Sequence, residues 1–178
     1  PLYSSAASDV YKRQVQCCAY SVGQASQPII STNFGAKFGH RIKETLKYAL
    51  YSVAFFSILW TALALLVPNM FVKIFMTPTQ EILQIAPPII RMYGLSFLLL
   101  PFNIFSTYYF QALLKPKTSF VISVGRGLVL SGILIYLLPL INADYLWLTM
   151  PITEFIVAIY AVIHMRKCTK SLPIESRS

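Results

Sequence analysis

A chain of 178 residues that is 56% hydrophobic and only 12% charged, with a mean hydropathy of +0.62, departs from water-soluble domains, in which about a quarter of residues are charged. Its formal charge of +9 does not mark a nucleic-acid surface, because the basic residues fall between apolar segments rather than among base-stacking aromatics. The sequence shows no nucleophile elbow, no phosphate-cradling Gly-rich loop with Lys and no metal-spaced His/Cys set, so it gives no support to an enzyme or a metal centre.

Ser4–Gln14 reads Ser-Ser-Ala-Ala-Ser-Asp-Val-Tyr-Lys-Arg-Gln and resembles, residue for residue, the translation of a transposon-type sequencing adapter. Residues 1–14 are set aside as a non-native, adapter-derived segment. The native chain is then expected to start near Val15 and to be truncated there.

A spanning helix needs roughly 20 mostly apolar residues. The first candidate, about residues 15–36, is dotted with Gln24, Gln27, Pro28 and Asn33. A basic connection through Lys37, Arg41 and Lys43 leads to a second span, about 45–67. Val67–Asn69 reads as a turn, Phe71–Phe75 as an interfacial helix, and Thr77–Glu81 as a helix start with Pro78 near its first turn. The third span, about 81–114, is too long for the bilayer core and must tilt or bend, with Pro87, Pro88 and Pro101 as the bending points. The fourth, about 119–140, and the fifth, about 146–165, are joined by an Asn142–Asp144 turn. Residues 171–178 form a polar tail.

Basic residues alternate with the loops. Lys37, Arg41 and Lys43 follow the first span, Lys115 and Lys117 the third, and Arg166, Lys167 and Lys170 the fifth, whereas the second loop has only Lys73. By the positive-inside rule the C-terminus is cytoplasmic. The architecture expected is all-α: a polytopic bundle of five spanning helices.

The order of motifs is similar to one family. Gln24–Ala36, reading Gln-Ala-Ser-Gln-Pro-Ile-Ile-Ser-Thr-Asn-Phe-Gly-Ala, resembles the second helix of the C-terminal half of multidrug and toxic compound extrusion (MATE) transporters. Tyr108–Lys117 resembles the end of the fourth helix of that half, Ser123–Arg126 the start of the fifth, and Trp147–Glu154 the sixth. The resemblance covers residues 15–170, as a partial C-terminal lobe. It implies a twelve-helix protein of two lobes in a bacterial plasma membrane, exporting small organic, often cationic, compounds in exchange for Na⁺ or H⁺, with no other cofactor. It also implies that the N-terminal lobe and the first helix of this lobe are missing partners, beside membrane lipid, so that residues 15–178 alone are not expected to transport. The rivals are a related flippase of lipid-linked sugars or polysaccharide precursors, and a non-transporting membrane scaffold subunit.

Polar groups inside the spans are the site candidates, because such groups face cavities or partners. Glu154 either lines the cation pathway or pairs structurally with a base, for which Arg91 is a candidate. Asn103 falls near where the resemblance places an acidic coupling residue; as an amide it can ligate Na⁺ but cannot exchange a proton. Its alternative role is to cap a kink at Pro101. Gln24, Gln27 and Asn33 either line a cavity or bond between helices. Tyr108, with Tyr20, Phe102, Phe105, Tyr109 and Tyr136, offers aromatic surface for flat cations. Arg126 and Arg91 are given structural or gating roles, with Pro101 as the hinge. Cys17, Cys18 and Cys168 are expected as small packing residues, His40 and His164 as interfacial, and Gly35 and Gly39 as a weak close-approach motif.

Overall fold

The computed structural model describes residues 2–68 and 80–172. Seven α-helices run through them: α1 (Leu2–Gly35), α2 (Gly39–Leu66), α3 (Gln80–Gly94), α4 (Leu100–Ala112), α5 (Pro116–Val124), α6 (Ser131–Ile141) and α7 (Thr149–Lys170). Short 3₁₀ turns at Leu95–Leu98 and Ala143–Leu148 lead into α4 and α7, and Gly125–Leu130 winds as a π-helix between α5 and α6. Four continuous stretches are long and apolar enough to cross a membrane: Gly39–Leu66, Pro87–Ala112, Pro116–Ile141 and Tyr145–Lys170. The turn expected at Asn69, the interfacial helix at Phe71–Phe75, Pro78 and the end of the tail lie outside the described residues.

The connection between the first two spans differs from the sequence expectation. The basic connection is mostly helical, because α2 starts at Gly39 and carries Arg41 and Lys43 in its first turns. The chain reverses within Ala36–Phe38 instead. There the amide of Phe38 donates to the Asn33 carbonyl (2.9 Å) and that of Lys37 to Phe34 (3.1 Å), with Lys37 at φ 61°. These bonds satisfy the last carbonyls of α1 in a Schellman cap. The end of α4 repeats the device: Lys115 donates to Phe110 (2.8 Å), Leu114 to Gln111 (3.0 Å), and Leu114 sits at φ 55°.

The long third span departs from a straight helix just before Pro101, and not at Pro87 or Pro88. It breaks across the 3₁₀ turn Leu95–Leu98, and α4 starts afresh with Pro101 in its first turn. Proline has no N–H to continue the ladder of the preceding turn, but it fits a helix start, where that donor would be unpaired anyway. Pro87 and Pro88 stay inside α3.

α4 is the central element, packed against α1, α2, α5 and α7. Two apolar clusters flank it. One joins Ile30, Ile42, Leu46, Val53, Phe105, Tyr109 and Val157 toward the basic end of the bundle. The other joins Val15, Ala19, Ala64, Ile90, Phe97 and Ile104 toward the opposite end. The stretch Pro116–Ile141 lies at the edge and buries only Ser119, Ile122 and Ser131.

Candidate functional site

Between the two apolar clusters the buried residues turn polar. Ser26 on α1, Ser57 and Thr61 on α2, Asn103 and Ser106 on α4, and Thr153 and Glu154 on α7 are all buried. On each of the first two helices the polar residue falls in sequence between members of the two clusters: Ser26 between Ala19 and Ile30, Ser57 and Thr61 between Val53 and Ala64. Some of these hydroxyls are spent locally. Ser26 donates to the Val22 carbonyl (2.7 Å), Ser106 to Phe102 (2.8 Å) and Thr153 to Thr149 (2.7 Å), the back-bonding open to such residues inside helices.

The charged part of this layer is built from three elements. Asn103, 0% exposed, donates from Nδ2 to Glu154 Oε2 (2.6 Å) and to the Glu154 backbone carbonyl (2.8 Å). Glu154 itself is 1% exposed. Arg126 reaches in from the π-helix, with Nη1 3.8 Å from Glu154 Oε1. The two glycines Gly125 and Gly127 flank Arg126, and neither has a neighbour against the position of a side chain. Glycine weakens an α-helix, and the π-turn falls on that stretch. Asn103 Oδ1 and Arg126 Nη1 have no hydrogen-bond partner among the described residues. A carboxylate with a buried amide oxygen beside it is an oxygen donor set of the kind that holds hard cations or protons. Among the described residues no three His, Cys, Asp or Glu side chains come together as a metal site.

Several sequence expectations change with this geometry. Glu154 forms its ion pair with Arg126, not Arg91; Arg91 is exposed and makes no ion pair among the described residues. Asn103 does not cap Pro101 with its side chain, which turns across to α7 instead. Pro101 sits in the first turn of α4, directly after the break in the third span. Gln24 is exposed, Gln27 is half-buried, and Asn33 donates to the Ile29 carbonyl of its own helix (2.8 Å), so these three do not join the charged cluster. Phe105 and Tyr109 are fully buried core residues, and Tyr136 faces outward. Tyr108 packs edge-on against Tyr20 (6.3 Å between centroids). His40 lies 3.7 Å from Glu44, and His164 bonds the Tyr160 carbonyl (2.9 Å). Cys17 is exposed rather than packed. Gly35 lies in open space; the close approaches are at Gly23, against the Tyr108 ring, and Gly94, against Ala64. Sequence reasoning passed over Ser57 and Thr61, although their four-residue spacing inside an apolar helix puts both on one face.

Helices long and apolar enough to span, with a buried charge pair between two of them, define a polytopic α-helical membrane protein. The family model MatE matches residues 15–137, and the chain belongs to that family. Among solved structures it is similar to one described as the outward-facing conformation of a multidrug resistance MATE family transporter of the MOP superfamily, with a TM-score of 0.75 over 96% of this chain at 15% identity. That likeness is one of fold. The chain spans 44% of the length of that transporter. No curated protein matches.

Proposed function

We propose that this chain forms most of the C-terminal half of a cation-coupled antiporter, driven by Na⁺ or H⁺, that exports organic, often cationic, compounds from a bacterial cell. The observation that carries this reading is Glu154, a carboxylate buried in the polar layer and held between Asn103 and Arg126. Ionisable groups in spanning helices are costly to bury and tend to mark ion and proton paths. Family membership supports the transport assignment, and the basic ends of α2 and α7 support a cytoplasmic C-terminus. The N-terminal lobe and the first helix of this lobe would come from the rest of the transporter, and the lobes would rock about a midplane site.

In this reading Glu154 is the group that exchanges partners. With Arg126 as its counter-ion the carboxylate is neutralised internally. A proton or Na⁺ at Glu154, with Asn103 Oδ1 as a further oxygen ligand, would weaken the hold on Arg126 and free the π-helical stretch from α7. The flippase alternative calls for a basic cavity to hold phosphate; of the two arginines that favoured it, Arg126 is paired with Glu154.

The test uses the complete transporter that contains this half, in membrane vesicles loaded with a fluorescent organic cation. An imposed Na⁺ or H⁺ gradient should drive export, and Glu154→Gln should abolish the gradient-driven part at unchanged protein level. Full gradient-driven export by Glu154→Gln would remove Glu154 from the coupling mechanism, and no export under either gradient would remove the antiporter reading.

A further inference from the structure

Where α2 begins and α7 ends, a groove of about 450 Å³ opens between the two helices beside α4. That is within the range of ligand pockets, about 300–1,000 Å³. Its wall is apolar, with Leu46 and Leu50 from α2 and Phe102 from α4. Lys43, Arg166 and Lys170 also line it, and all three are exposed. No carboxylate lines the groove among the described residues. Glu44, the acid next to Lys43 in sequence, lies 3.7 Å from His40.

We propose that this groove binds an anionic phospholipid of the cytoplasmic leaflet. Its phosphate sits among Lys43, Arg166 and Lys170, and an acyl chain lies along Leu46, Leu50 and Phe102. The two halves of the groove select an amphiphile. Three cations repel an exported organic cation and attract a phosphate. A soluble anion would leave the apolar wall uncovered. A peptide would bring backbone donors and acceptors to a wall whose hydroxyl, that of Thr169, already shares a hydrogen bond with Tyr109 (2.7 Å). Basic pockets between helices on the cytoplasmic side are recurrent sites for anionic head groups. The choice of leaflet rests on the cytoplasmic C-terminus of the preceding reading.

The purified complete transporter that contains this half, in phosphatidylcholine vesicles doped with phosphatidylglycerol or phosphatidylcholine carrying a photoactivatable acyl chain, tests this. Phosphatidylglycerol should label the segments around Leu46–Leu50 and Phe102 in strong preference to phosphatidylcholine. Combining Lys43→Gln, Arg166→Gln and Lys170→Gln should cut that preference on the order of a hundredfold, and each single replacement about fivefold. The single replacements keep the test valid if the triple variant does not insert. Equal labelling by both lipids overturns the proposal, as does a preference that survives the substitutions. So does labelling confined to other segments, which would show that a further part of the transporter fills the groove. A separate readout addresses the leaflet: Ser171→Cys, with Cys17, Cys18 and Cys168 replaced by Ser, should react with an impermeant maleimide only from the cytoplasmic side. Reaction from outside overturns the cytoplasmic placement, and with it the leaflet named here, whatever the lipid preference of the groove.

Discussion

Asn103 gives its Nδ2 amide to one residue twice over, at 2.6 Å to the Glu154 carboxylate and at 2.8 Å to the Glu154 backbone carbonyl. This fixes both the side chain and the backbone of α7 against the helix at the centre of the bundle. Between membrane helices there is little hydrophobic drive, since lipid is as apolar as leucine, so packing and such bonds decide the arrangement. Asn103→Leu keeps the branched side-chain skeleton, removes both bonds and leaves Glu154 Oε2 without this donor. Hydrogen bonds to charged groups are worth about 1.5–3 kcal/mol, and the variant should lose about 3 kcal/mol. Thermal unfolding in detergent micelles measures it; a loss below about 1 kcal/mol would mean the two bonds hold little of the helix pair together.

The Arg126–Glu154 contact calls for a cycle rather than a single variant. Removing one member of a buried ion pair strands the other charge and costs about 3–5 kcal/mol, whereas replacing both costs far less. Glu154→Gln and Arg126→Met should each lower stability by about 3 kcal/mol. The double variant should fall no further than the worse single one. Additive losses would show that the 3.8 Å approach carries no coupling.

How far the sequence reveals this site is itself a physical matter. Hydropathy exposes Glu154, Asn103 and Arg126 as misfits in apolar segments, because each is costly in lipid wherever it points. Their pairing is not legible, since it depends on rotation about the helix axes, and the π-turn at Gly125–Leu130 sets the rotation of Arg126 in a way no α-periodicity contains. Four of the five expected spans and the basic loop ends follow from composition; the first, about residues 15–36, is helical within α1 but is not among the stretches apolar enough to cross. Which of the three prolines breaks the third span does not follow from it, because a proline fits the first turn of a helix as well as a kink, and only Pro101 follows a break.

Small residues separate in the same manner. Gly23 packs so closely on Tyr108 that an added methyl group would collide with the ring, while Gly35 has open space around it. Gly23→Ala should therefore destabilise the α1–α4 contact by about 1–3 kcal/mol through overpacking. Gly35→Ala should be neutral or stabilising by up to about 1 kcal/mol, from helix propensity alone. Unfolding of the two variants side by side distinguishes them; equal effects would argue that α1 and α4 adjust freely at Gly23.

The two Schellman caps carry residues that disfavour their own geometry. Lys37 at φ 61° and Leu114 at φ 55° occupy the left-handed region, which costs a residue with a Cβ roughly 1–2 kcal/mol and glycine almost nothing. Leu114 is also 76% exposed, so its side chain contributes little packing. Leu114→Gly and Lys37→Gly should each raise stability by about 1 kcal/mol, after the entropy of the added glycine is offset. A lowered unfolding temperature in Leu114→Gly would show that its exposed side chain has a contact outside the described residues.

The stretch Pro116–Ile141 brings fold and solvent together. It is apolar along its length yet leaves Leu128, Ile133, Tyr136 and Leu137 exposed. In water such a surface would drive association, and in a bilayer it is simply the lipid-facing side of a helix. Ile133 lies near the middle of that outward face. A charge there meets hydrocarbon, at about 2.5–3.5 kcal/mol on insertion scales. Ile133→Lys should therefore lower the inserted fraction of this segment severalfold in a glycosylation-mapping assay, whereas Lys117→Ala at the segment's basic end should not. Equal insertion of Ile133→Lys and the native segment would mean that this face meets protein or water rather than lipid.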